Sequence, residues 1–252
     1  FVKEYLSSKI FFYNATDATK IPLREKPVKV EKEKPQAKKR GRPKKGETRE
    51  PIKPTILKQQ KELLSVEEKL ALVSTECGVG IKQNSKGNRE VWIGGKLHIS
   101  AVDGDIPVTA FYSGANIHDS SIALPLIQET SKRVNYLYDL QDAGYDADII
   151  REISNKLGHR PIIDTNPKNS KELKAKIELM EHEGKTFKDI NQHLNCDEEH
   201  YNQRSMVERV NKYLKDDFGC DKIYYQGATK VASVLAFGIL SICIHQSLQL
   251  VT

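Results

Sequence analysis

Tyr201-Asn202-Gln203-Arg204-Ser205-Met206-Val207-Glu208, continuing to Lys215, is the stretch on which the reading of this chain turns. As one helix, it places Tyr201, Arg204, Glu208 and Lys215 at i, i+3, i+7 and i+14, on a single face. That face carries a phenol, a guanidinium, a carboxylate and an ammonium. A carboxylate can hold a divalent metal, and the cations can hold phosphate oxygens. The set suits cutting or joining a nucleic-acid backbone, provided further carboxylates converge on Glu208. Asp17 and Asp142 are the upstream candidates. The plainer reading is a solvated charged face laced by i,i+4 pairs.

Working outward, Ile10-Phe11-Phe12-Tyr13 reads as a strand running into Asn14 to Thr19. Ser65-Val66-Glu67-Glu68 is a capping box opening a helix over Val66 to Ser74. Gly78 to Gly87 reads as a Gly- and Asn-rich loop. Glu90 to Val102, with an irregularity at Gly94-Gly95, and Ile106 to Tyr112 read as two strands. Asp103-Gly104-Asp105 between them is a hairpin turn. A helix capped by Asp119 or Ser120 runs to Lys132, and Asn135 to Leu140 is a buried strand. Ala147 to Leu157 is a helix closed by Gly158, Pro161 to Ile163 is a strand, and 170–183 is a charged helix. The order predicts an α/β fold, a central mixed sheet with helices on both faces.

The net charge of +6 conceals a division. Residues 20–61 carry 16 Lys or Arg against 5 Glu, and the rest of the chain is net acidic. Six of the ten prolines lie in that basic segment. Charge repulsion and missing backbone donors predict an extended, mostly disordered insertion over 21–56. The expected division is therefore a first strand in 1–20, a basic insertion in 21–62 and the rest of the fold in 63–252. Within the insertion, Lys38-Lys39-Arg40-Gly41-Arg42-Pro43-Lys44-Lys45-Gly46 resembles an AT-hook core. An extended Arg-Pro backbone fits an A·T minor groove, so Lys39, Arg40, Arg42 and Lys44 are candidate DNA contacts. The competing reading is a basic linker touching only phosphates.

Other features exclude function classes. The four cysteines are scattered without a C-x-x-C pair, which reads as a reduced, intracellular protein. His193, Cys196 and His200 form at best half of a zinc site. Val231 to Ile244 is apolar over 14 residues, short of the ~20 that a membrane span needs, and reads as a buried core helix. The chain starts at Phe1 without an initiator methionine, so a piece of a longer chain is expected; no targeting segment is visible.

Asp142 follows a hydrophobic strand in Asp142-Ala143-Gly144-Tyr145-Asp146. Asp146 is the better helix cap, which leaves Asp142 without a local structural duty. Asp17, between Thr16 and Thr19, reads either as a ligand or as a solvated loop residue. Asp103, Asp105 and Asp139 are the rival acids; the first two fit the hairpin turn.

Together these residues resemble the DDE transposases of bacterial and archaeal insertion sequences. Tyr201-x2-Arg204-x3-Glu208-x6-Lys215 is similar to the Y-x2-R-x3-E-x6-K signature of one branch. Asp142-Ala143-Gly144-Tyr145 resembles the block around the second catalytic aspartate, and Asp17-Ala18-Thr19 the block around the first. The tracts Lys82 to Gly87, Trp92 to His98 and Ala115 to Ser120 also look like that branch. The resemblance implies a ribonuclease-H-like domain with Asp17, Asp142 and Glu208 holding two divalent ions, Mg2+ or Mn2+. It implies that Tyr201, Arg204 and Lys215 bind phosphates near the cut, or a flipped base beside it. The implied partners are double-stranded DNA, as transposon ends and target, and an optional second copy of the chain; no membrane is expected. The implied location is the cytoplasm, at the nucleoid. Departing from the family's usual pattern, no DNA-binding region precedes the first strand, and the basic insertion is a partial substitute. Two rivals stand beside this reading: a non-enzymatic DNA-binding protein descended from a decayed transposase, and a ribonuclease-H-like nuclease that hydrolyses without joining.

Overall fold

The computed structural model describes residues 6, 9–28, 54–83, 88–166, 171–184 and 198–251. Six strands form one mixed sheet: β1 (Ile10–Pro22), β2 (Gly78–Gln83), β3 (Arg89–Val102), β4 (Ile106–Gly114), β5 (Asn135–Gln141) and β6 (Arg160–Ile163). The helices are α1 (Ile56–Glu62), α2 (Val66–Ala71), α3 (Ser120–Arg133), α4 (Asp148–Lys156), α5 (Lys171–His182), α6 (Glu198–Asn202), α7 (Ser205–Asp216) and α8 (Ala228–Val251). The strand order is β2-β3-β1-β5-β6, with β4 also on β3. The β1–β3, β2–β3 and β3–β4 pairs are antiparallel, and β1–β5 and β5–β6 are parallel. This is the ribonuclease-H-like mixed sheet flanked by helices that the resemblance implies.

β3 is the spine because it is long enough to serve several partners. Its first half pairs with β2, and from Gly95 onward it pairs with β4. Gly94, at φ 147°, makes the handover: a Cβ there would sit 2.1 Å from the Ile21 carbonyl oxygen. Gly104 and Asp105 both have positive φ (83° and 58°), so the β3–β4 turn has the predicted hairpin chemistry. Asp105 also fixes the turn to α7, accepting two bonds from Arg209 (Nε 2.8 Å, Nη2 2.7 Å).

One sheet face buries Ala15, Leu97, Ile99 and Ala101 against Val207, Val210 and Leu214 of α7 and Val231, Leu235 and Ile242 of α8. α3, α4 and the 3-10 turn before α4 cover another part through Leu124, Ile127, Ile150 and Tyr145. A polar seam also lies inside. Asn14 donates to Asp139 (3.0 Å) and accepts from Ser100 (2.5 Å), and Ser154 donates to Asp139 (3.0 Å). Period-two alternation separates the faces, so Asn14 and Asp139 point away from the side occupied by Ala15 and Leu140.

Several expectations need correction. β1 does not stop before Asp17; it runs to Pro22, held by β3 on one edge and β5 on the other. The expected loop at 78–87 contains β2, because Val79 and Ile81 find Ile93 and Val91 as cross-strand partners. Order reaches into the segment assigned to the basic insertion: α1 lies there, and buried Gln60 donates to the Lys69 and Ser121 carbonyls (3.0 and 2.8 Å). The Ser65–Glu68 capping box forms, but α2 ends at Ala71. Residues 29–53 of the insertion, with Lys39, Arg40, Arg42 and Lys44, lie outside the described residues, as do His193 and Cys196. The C-terminal apolar helix is longer than expected. Ala228–Gln249 has a mean hydropathy of 1.8, so it is long and apolar enough to cross a membrane. Its inner face packs on β4 and α7, while Phe237, Leu240, Ile244 and Leu248 remain exposed.

Candidate active site

Parallel pairing of β1 with β5 sets Thr16 opposite Gln141. The next residue on each strand is an acid, so Asp17 and Asp142 stand side by side. Asp17 is mid-strand, and Asp142 is the first residue past β5. Asp142 does have a local duty: its Oδ1 accepts from the Gly144 N–H (2.9 Å), capping the 3-10 turn Ala143–Tyr145. Asp146 does not cap α4, whose N-cap position is Ala147. It accepts from Arg151 (2.5 Å) and from the Asn166 N–H (2.8 Å) instead.

The third wall differs from the single helix expected. The chain makes i→i−3 bonds from Arg204 to Tyr201 (2.9 Å), from Met206 to Gln203 (3.1 Å) and from Val207 to Arg204 (3.2 Å). That tight winding separates α6, which bears Tyr201, from α7, which bears Glu208 and Lys215. Arg204 stands at the junction, its guanidinium 5.7 Å from the centre of the Tyr201 ring. It also forms an ion pair with Glu208, the i,i+4 pair of the plainer reading. On α7, Glu208, Asn211 and Lys215 follow i, i+3, i+7 and face a common cleft of about 570 Å3. Asp17, Asp142, Lys20, Lys82, Trp92, Lys96 and Asp119 also line it. Tyr201 and Arg204 stand beside it.

The electrostatics are those of acids short of a cation. Burial pushes the Asp17 carboxyl up to about 6, with Arg204 opposing and the neighbouring Asp142 adding to the rise. Asp17 accepts from Asn211 Nδ2 (3.1 Å). Burial also raises Asp142, against the Gly144 bond and Arg204. For Arg204, burial opposes the charge, but Tyr201, Glu208, Asp17 and Asp142 together hold it above the ordinary arginine value. The Tyr201 phenol is pushed up to about 12 by burial, so it stays a hydrogen-bond donor at neutral pH. Lys215 is lowered by burial and then by Lys20.

These observations fit a cation beside Asp17 and Asp142. Two crowded carboxylates are raised, and the buried Asn211 Oδ1 lacks a partner. Glu208 is instead paired with Arg204. Among the described residues no three His, Cys, Asp or Glu side chains are gathered as a bound metal would require. The rival acids have other duties: Asp103 accepts from the Phe12 and Tyr13 amides (2.6 and 3.2 Å), Asp105 holds Arg209, and Asp139 is sealed in the polar seam.

Sequence reasoning missed Asn211, although its i+3 spacing from Glu208 was a usable signal. It also missed Asp119, whose expected capping bond is absent; its carboxylate takes Lys96 Nζ (2.8 Å) at the cleft wall. Lys82 and Trp92 stand in tracts that carried the resemblance, but their place on the cleft, like that of Lys20, depends on the strand pairing.

The family model described as the transposase DDE domain matches residues 15–244 of the chain. That span includes Asp17, Asp142 and Glu208. Comparison with curated proteins and with solved structures gives no match.

Proposed function

The chain belongs to the transposase DDE domain family, and on that premise we propose a DNA transposase that cuts and joins strands of an insertion sequence by metal-dependent phosphoryl transfer. The observation that carries the reading is the parallel register of β1 and β5, which sets Asp17 beside Asp142 in one cleft with Glu208. Asp17, Asp142 and Glu208 would hold Mg2+ or Mn2+, two ions in the assembled site. Such ions, when bound, polarise the scissile phosphate and lower the pKa of attacking water or a 3′-hydroxyl.

The chain's own residues supply the rest. Asp17 and Asp142 act as carboxylates, so they work ionised. Glu208 joins them by leaving Arg204, which frees the guanidinium for a phosphate oxygen. Lys215 adds a second cation on the same helix face, and Tyr201 donates its phenol proton to phosphate. Double-stranded DNA is the proposed partner, as transposon ends and target, at the nucleoid in the cytoplasm.

The test is cleavage of DNA carrying the terminal repeats that flank the coding sequence, with and without Mg2+. Asp142→Ala and Glu208→Ala should each lose cleavage by more than about 100-fold while DNA affinity falls by no more than about threefold. Wild-type-like cutting by both variants overturns the assignment. Transfer to a 3′-hydroxyl acceptor separates a transposase from a nuclease that only hydrolyses. The Arg204–Glu208 pair supports a second reading, a DNA-binding descendant that no longer cuts. It predicts salt-sensitive binding with no metal-dependent cleavage.

A further inference from the structure

Beyond the carboxylates, the cleft has a second end of different chemistry. Lys20 projects from β1, Lys82 from β2 and Lys215 from α7, and all three line the same cavity. Glu90 pairs with Lys20. Lys215 is lowered by burial, then by Lys20 and Lys82, against the opposing charges of Asp17 and Asp221, so the three ammonium groups act on one another. Three ammonium groups converging on one end of the cleft form an anion site.

Trp92 lines the cavity beside them. It faces Gly80 across the β2–β3 pair, where a Cβ would lie 2.3 Å from the ring. The indole therefore lies directly across the Gly80 backbone. Its N–H donates to the Gly95 carbonyl (3.2 Å), which fixes the ring's rotation. An indole held on the backbone and bordering a cationic cavity is a stacking platform for a planar base.

We propose that the Lys20–Lys82–Trp92–Lys215 end of the cleft binds one unpaired nucleotide of single-stranded DNA, its phosphate on the lysines and its base on the Trp92 indole. The proposal rests on the reading that the cleft takes DNA. A cavity of about 570 Å3 is of small-molecule size and admits a nucleotide. The consequence is a preference for a frayed or overhanging end next to the carboxylates.

Trp92 is the chain's only tryptophan, so its emission reports this site alone. The full chain, in EDTA, is titrated with a blunt duplex, the same duplex with a short 3′ overhang, and that overhang carrying abasic residues. Binding is followed separately by filter retention. The overhang should bind about tenfold more tightly than the blunt duplex and quench Trp92, whereas the abasic overhang should bind without quenching. Lys82→Ala should lower the salt dependence of overhang binding by about one ion. Trp92→Ala should remove the preference for the overhang and leave blunt-duplex affinity within about threefold.

Equal quenching by the abasic and normal overhangs, or by blunt duplex and overhang, overturns the subsite. Retained metal-dependent cleavage with no overhang-specific quenching overturns the subsite alone. Failure of the wild-type chain to bind any of the three DNAs overturns the subsite together with the DNA reading beneath it.

Discussion

Replacing Asp17 by Asn should make the metal-free protein more stable at neutral pH while abolishing cleavage. Asp17 moves from an ordinary 3.8 to about 6 in the fold. A carboxyl with a raised folded pKa favours folding below its unfolded value and loses that contribution as pH rises through the folded one. The penalty therefore begins near pH 4, grows to about pH 6 and is constant above. Its full value is ~3 kcal/mol at 1.36 kcal/mol per pKa unit. Asp17 is partly open to the cleft, and screening there reduces the figure to ~1–3 kcal/mol. The amide of Asn keeps an oxygen for Asn211 Nδ2, so the existing hydrogen bond need not be lost. Thermal unfolding in EDTA should show Asp17→Asn melting about 2–8 °C above wild type at pH 8, with the difference vanishing near pH 4. Asp139 titrates equally in both proteins and cancels from the difference. Adding Mg2+ to about ten times its Kd should raise wild-type stability by ~1.4 kcal/mol and leave the variant unmoved. A variant less stable than wild type at pH 8, or a gain independent of pH, would refute the account of Asp17 as an acid short of a cation.

The remaining predictions concern other parts of the molecule. Asp139→Ala removes the acceptor for Asn14 and Ser154 inside the sheet and should cost ~2–4 kcal/mol in urea unfolding. Arg204→Ala withdraws the guanidinium that opposes the rise of Asp17 and Asp142, so the acid limb of the cleavage–pH profile should move to higher pH. Arg209→Ala breaks a pair with Asp105 whose arginine is half exposed and should change stability by about 1 kcal/mol, with cleavage unaffected. Deleting residues 29–53, with eleven Lys or Arg against four Glu, should flatten the salt dependence of DNA binding while folding is retained; an unchanged slope would remove the segment from the DNA interface.

The fold was legible where local chemistry and pattern agree. The Asp103-Gly104-Asp105 turn, the Ser65–Glu68 box and the end of α4 before Gly158 are local signals, and each formed. β2 was not legible, because a Gly-rich edge strand gains its identity from the partner that pairs with it. The site was legible as residue types and only partly as geometry. Asp142 after β5 could be read from the strand before it. That Asp17 stands beside it depends on a parallel pairing across more than 100 residues of sequence, which no local pattern records. The single helix failed for a different reason. Spacing assumes uniform α winding, and a few i→i−3 bonds at 201–207 were enough to divide the stretch into α6 and α7.

That break bears on the proposed chemistry. Arg204 occupies the N-cap position of α7 rather than a place within it, and its side chain makes no capping bond. It can therefore leave Glu208 without costing α7 a backbone hydrogen bond. While it stays, one guanidinium partly balances Asp17, Asp142 and Glu208 and keeps the cleft folded around its acids. On the proposed function Asp17, Asp142 and Glu208 would hold the metal, so Glu208 would have to leave Arg204 as the ligand set forms, and the freed guanidinium would then be available to phosphate. Glu208→Gln tests that availability, because it weakens the restraint on Arg204 while keeping the side chain's size. Its DNA affinity without metal should rise about two- to tenfold, although cleavage is lost; unchanged affinity would mean that Arg204 does not reach phosphate.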